Sequence, residues 1–146
     1  MTPTPDSLTR QWFQEVWNDG REDTIDHLLA PDAIVHGLGG SDAAPMRGPD
    51  AFKPVFRTFR EALGGLQITV ERTYVCGDIC VAWCRVVGTH VGHSFGGPPT
   101  GRPVNIEGVT ITRTRDGKLV EGWNIFDFLQ MYQQIGWVPN PVLPPK

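Results

Sequence analysis

The sequence has no cluster of Lys or Arg, and its 13 basic residues are outnumbered by 16 acidic ones, for a formal charge of −3. A nucleic-acid or anionic-membrane partner requires a concentrated basic face, so neither is expected. No apolar run approaches the roughly 20 residues that span a bilayer. The opening MTPTPDSLTRQW also lacks a signal-peptide core, so a cytoplasmic protein is expected. Cysteine is scarce: Cys76, Cys80 and Cys84 lie in TYVCGDICVAWCRVVGT, which is rich in β-branched and aromatic residues and broken by Gly77-Asp78. That pattern predicts a hairpin. Cys80 and Cys84 would then stand roughly 13 Å apart on one strand face, too far for a disulfide, so buried free thiols are expected. Cofactor and nucleophile signatures are missing too. GGPPTGR has neither GK[ST] nor a following helix, and no G-x-G-x-x-G or G-x-S-x-G occurs. His90 and His93 are spaced H-x-x-H, but no H-E-x-x-H or C-x-x-C completes a zinc set. Neither a metal nor a cofactor is expected.

What is present is ordinary globular material: 146 residues, 40% hydrophobic and 20% charged. That is enough for one core and short for two. One domain over 1–146 is expected, with an ordered core at 7–137 and tails at 1–6 and 138–146.

The first half reads as helices. Asp6 or Ser7 is placed to cap a helix carrying Trp12, Phe13, Val16 and Trp17 as an apolar stripe, stopped by Asn18-Asp19-Gly20. A short helix at about 22–29 ends at Pro31, and Ala33–His36 forms a brief strand before the loop GLGGSDAAPMRG. In the third helix Phe52, Phe56, Phe59 and Leu63 repeat at helical spacing up to Gly64-Gly65, with Pro54 demanding a late start or a bend.

From residue 66 the period becomes two, predicting strands at about 67–76, 79–91, 103–115 and 118–128. In the third of them Val104 and Ile106 share one parity, Val109 and Ile111 the other. That flip predicts a β-bulge near Gly108 and a curled strand. A helical turn or two is expected at Leu129–Ile135, before the proline-rich VPNPVLPPK. The predicted class is α+β: a curved, mostly antiparallel sheet packed against three N-terminal helices around a pocket.

The last strand carries the strongest candidate. Trp123, Ile125, Asp127 and Leu129 alternate with Val120, Asn124, Phe126 and Phe128, so both faces read as apolar and buried. A carboxylate there is costly to ionise, and a raised pKa suits a general acid/base. The alternative from spacing is that Asp127 caps the following helix or forms a salt bridge. Asn124 reads as a buried hydrogen-bonding residue and is a candidate substrate-binding residue. His36 and His90 are candidates to line the pocket and polarise a carbonyl, with Trp123, Trp17, Phe59 and Cys84 as walls; His27 reads as solvated.

Four segments carry a family resemblance: VWNDGREDTIDHLLAPDAIVHG (16–37), GPDAFKPVFRTFREAL (48–63), GTHVGHSFGGPPTGRPV (88–104) and RDGKLVEGWNIFDFLQMYQQIG (115–136). In this order they resemble the SnoaL-like polyketide cyclases of the nuclear transport factor 2-like superfamily. The resemblance implies a cone-shaped α+β barrel and cofactor-free ring closure by intramolecular aldol condensation of a hydrophobic polyketide-like substrate. It places the acid/base aspartate of E-x-W-x-x-x-D at Asp127, with His36 and His90 as polarising groups. The chain departs from the family at Trp83-Cys84-Arg85, at Thr110, where many relatives carry an acid, and at Met131-Tyr132.

Two further readings use the same pocket. One is epoxide hydrolysis or steroid-type isomerisation, the latter needing a tyrosine donor such as Tyr74 or Tyr132. The other is a non-catalytic small-molecule-binding module. Trp83 and Val87 on the outer sheet face are candidates for a homodimer contact.

Overall fold

The computed structural model describes residues 2–39 and 44–140. Helix α1 (Pro5–Gln11) starts two or three residues earlier than the Asp6/Ser7 reading. Thr4 is its N-cap, in a reciprocal capping box with Ser7. The helix continues through Trp12–Asn18 as π-helix, where Asp19 N–H reaches back five residues to the Gln14 carbonyl. Gly20 follows with φ +71°, in the left-handed role expected of it.

Helix α2 (Glu22–Leu28) leads directly into β1 (Leu29–His36). Pro31 therefore lies inside β1 rather than ending a helix, between the two stretches over which β1 pairs its neighbour. A two-residue strand, β2 (Met46–Arg47), was not expected. Helix α3 (Gly48–Ala62) has Pro49 in its first turn and runs through Pro54. It stops at Ala62, so Gly64 and Gly65 belong to β3 (Leu63–Cys76). Then come β4 (Ile79–His90), β5 (Pro103–Arg115), β6 (Lys118–Phe126) and α4 (Phe128–Gln134). The expected proline-rich tail runs into residues 141–146, outside the described residues, as do residues 40–43 of the 37–48 loop.

The six strands form one curved sheet in the order β2-β1-β6-β5-β4-β3. All described neighbours are antiparallel except β1 and β6, which run parallel. The sheet is open, with β2 and β3 as its edges, rather than a closed barrel. The bulge expected at Gly108 is absent: β4–β5 pairing is continuous from Ile79↔Arg113 to Thr89↔Pro103. Irregularities instead fall at Gly64/Gln67, Val70/Arg72 and Arg113/Thr114. β5 keeps strict alternation, turning Val104, Ile106, Gly108, Thr110, Thr112 and Thr114 inward. Gly108 sits under the Phe126 ring, which occupies the space a Cβ would need.

The concave face packs on α1, its π-helical extension and α3. Trp12 and Trp17 interlock with Phe52 at ring distances of 5.1 and 5.8 Å, and Trp17 meets Phe56 at 5.7 Å. Among the described residues, no helix is long and apolar enough to cross a membrane.

Candidate functional site

Between the concave sheet and the helices lies an apolar hollow that opens to solvent. The helix side is aromatic: Trp12, Phe13, Trp17, Phe52 and Phe59. The π-helix matters here. Trp12 and Trp17 are five residues apart, which on an α-helix would splay them by roughly 140°. At the wider π spacing the offset falls to about 50°, and both share one wall against Phe52. Val86 and Ile106 add aliphatic surface from the sheet, and Phe126, Phe128 and Met131 close the end toward α4.

Apart from the indole N–H groups of Trp12 and Trp17, the polar side chains that line the hollow lie in a strip on β5 and β6. Thr110 and Asn124 are register partners, and the Thr110 hydroxyl donates to Asn124 Oδ1 at 3.0 Å. Asn124 Nδ2 donates to the His36 carbonyl at 2.9 Å. That bond requires a close approach of chain ends, and Gly37 (φ +88°) supplies it by packing against the Asn124 backbone carbonyl. Deeper in, the Thr112 and Thr9 hydroxyls bond at 2.8 Å, both fully buried.

Of the residues expected at a site, the structure brings Trp17, Phe59 and Asn124 together at this hollow. It places the others elsewhere. Asp127 is exposed and caps α4, accepting the Gln130 N–H at 3.0 Å, and does not line the hollow. This corrects the expectation of an enclosed carboxylate: β6 is not buried on both faces, since its Ile125 is 67% exposed, and Asp127 lies beyond its end, beside Leu129 of α4, 59% exposed. The capping alternative is the one observed.

His36 also points away from the hollow. Its Nε2 meets Glu121 Oε2 at 2.8 Å, and its ring stacks on Trp123 at 5.5 Å. Arg113 lies over the same indole at 5.6 Å and pairs with Glu121. Trp123 is therefore an outer-face residue, not a pocket wall. Glu121 borders the hollow, but its carboxylate is taken up by His36 and Arg113.

His90 is fully buried outside the hollow. The Thr100 N–H donates to its Nδ1 at 3.2 Å, which puts the proton of the neutral ring on Nε2. Nε2 has no partner among the described residues. Its ring is stacked on Phe95 at 5.8 Å with Trp137 at its edge. Cys84 is likewise buried behind the wall rather than in it, and burial pushes its thiol up to about 12. Cys80 is buried as expected, but Cys76 is exposed.

Sequence reasoning missed Trp12 and Thr112 as lining residues, whereas Thr110, singled out as a departure from the family, does line the hollow. Trp12 was visible as part of the apolar stripe. Thr112 was hidden by counting only Val and Ile as inward-facing on β5.

The arrangement can bind a largely apolar molecule, stack its flat parts against tryptophan and phenylalanine, and offer hydrogen bonds along one edge. The family model described as SnoaL-like polyketide cyclase matches residues 7–135. The aklanonic acid methyl ester cyclase DnrD of Streptomyces peucetius is 31% identical over 135 residues, covering 87% of this chain and 88% of its own. The nogalonic acid methyl ester cyclase of Streptomyces nogalater is 30% identical over 129 residues, covering 82% and 89%. The crystal structure of IdmH from Streptomyces antibioticus superposes with a TM-score of 0.80 at 31% identity, over 92% of this chain and 99% of that one.

Proposed function

Because the chain belongs to the SnoaL-like polyketide cyclase family, we propose that it closes a ring in a hydrophobic polyketide-like substrate by intramolecular carbon–carbon bond formation of the aldol type. The observation that carries this reading is the hollow itself: an aromatic wall facing a single polar strip of Thr110, Thr112 and Asn124. Holding a flexible chain folded, with its reacting carbons in contact, makes closure effectively unimolecular and can remove several kcal/mol, up to about 10, from the barrier. Closure starts with loss of a proton from a carbon next to a carbonyl, and water at the mouth is its acceptor in this reading; Asp127, His36 and His90, expected as base and polarising groups, lie outside the lining.

The steroid-type alternative is not favoured: Tyr74 is 55% exposed, and Tyr132 stacks on Trp137 outside the lining. The test is incubation with nogalonic or aklanonic acid methyl ester, the compounds in the relatives' names. Cyclised product forming well above the uncatalysed rate is expected. Quenching of tryptophan fluorescence with no product would instead make the protein a binding module.

We also propose that two copies associate through the outer sheet face. There Trp83, Val109 and Ile125 stand in register across β4, β5 and β6, with Trp83 41% and Ile125 67% exposed. A reducing compartment such as the cytoplasm is consistent with three free cysteines.

A further inference from the structure

We propose that Asn124 is the anchor for the carbonyl oxygen that gains charge during ring closure, and that its carboxamide is held in one orientation for this purpose. The inference rests on the ring-closing reading above. Asn124 is on the inward parity of β6 and lines the hollow between Gly122 and Phe126. Its two carboxamide ends look alike, but their partners do not. The His36 carbonyl can only accept, so Nδ2 must face it; Oδ1 then meets the Thr110 hydroxyl, which donates. A flip would set two carbonyl oxygens against each other.

With Nδ2 fixed, one of its hydrogens is used and the second has no partner among the described residues. Thr110, by donating, further polarises the amide and strengthens that free N–H.

In the closing step the enolate carbon forms a bond to the carbonyl carbon, and the C=O π pair withdraws onto oxygen. The alkoxide so formed accepts the Asn124 N–H until a solvent proton converts it to the hydroxyl. The proton first removed from the α-carbon passes to water at the mouth and one proton returns to the alkoxide, so the sequence is balanced. A fixed neutral donor in an apolar enclosure stabilises the developing charge more than it does the ground-state ketone. An asparagine here also selects substrates: it accommodates ketones and esters and gives no advantage to a hydrocarbon of the same shape.

The experiment compares two bicyclic probes that differ in one oxygen, 1-tetralone and tetralin, binding followed by tryptophan fluorescence. In the Asn124→Leu variant the tetralone-to-tetralin Kd ratio should rise about three- to tenfold, the loss of one hydrogen bond. Tetralin binding itself should stay within twofold. Thr110→Val, nearly the same shape, should raise the ratio partway. As a check needing no variant, the Asn124 side-chain amide proton should move downfield on adding tetralone to the unaltered protein, and not on adding tetralin. If both probes bind, the ratio is unchanged and the amide does not move, the anchor is wrong while the hollow remains a ligand site. If neither probe binds, the reading on which the inference rests fails with it.

Discussion

At the scale of single residues, Asp127 separates two accounts of the protein. As an exposed N-cap, it contributes through one hydrogen bond to the Gln130 N–H. Asp127→Ala should therefore lower stability by about 1 kcal/mol, the usual cost of losing a cap; Asp127→Asn, an equally good cap, should cost almost nothing. Urea denaturation of both variants checks this.

The thiols make an independent residue-scale prediction. Cys80 and Cys84 are buried with their pKa values raised by desolvation, Cys84 to about 12, whereas Cys76 is exposed. A disulfide reagent at pH 8 should titrate one thiol in the native protein and three in denaturant. Two fast native thiols would mean that the β4 wall opens.

At the scale of elements, the loop after β4 is held to the end of α3 by one carboxylate. Glu61 accepts the Ser94 N–H at 2.8 Å and the His93 N–H at 3.2 Å, while the Ser94 hydroxyl donates to the Thr58 carbonyl at 2.6 Å. The bonds from Ser94 hold the Glu61 carboxyl below the ordinary glutamate value of 4.5. A depressed folded value means that the latch contributes fully at neutral pH, above the unfolded pKa, and is lost as pH falls through the folded one. The Ser94 amide proton resonance should keep its neutral-pH position to below pH 4.5 and then shift. A midpoint at or above 4.5 would contradict the latch.

The elements also show what could be read from the sequence and what could not. Strands β3 to β6 were legible because their period of two is local. The bulge at Gly108 was not there to find: the phase flip came from counting only Val and Ile as inward. Thr110, Thr112 and Thr114 in fact point in, since each buried hydroxyl finds a partner, on Asn124, Thr9 and the Asp78 carbonyl respectively. A threonine with a satisfied hydroxyl packs much like a valine, and no local pattern reveals the partner. Reading the last strand as buried on both faces put Asp127 and Trp123 inside. The parallel pairing of β1 with β6 is equally invisible, because it joins segments some 90 residues apart (His36↔Trp123).

At the scale of the whole molecule, the open sheet leaves an outer face with apolar groups in register, and the proposed pairing of two copies covers it. Light scattering should give twice the 16.2 kDa of one chain. Ile125→Lys, a charge placed at the most exposed of these positions, should yield a monomer with unchanged secondary structure. A monomeric unaltered protein would refute the pairing and leave the hollow untouched.

The central claim is that ring closure happens inside the aromatic-walled hollow and does not depend on the carboxylate beyond its edge. The direct measurement is the initial rate of cyclisation of nogalonic acid methyl ester by Asp127→Asn and Ile106→Trp, each verified as folded by circular dichroism. Ile106 is 2% exposed and lines the hollow, so a tryptophan there fills substrate space. The account predicts a rate within twofold of the unaltered protein for Asp127→Asn and a loss of at least about 100-fold for Ile106→Trp. The reverse pattern, a silent Ile106→Trp and an inactive Asp127→Asn, would contradict it.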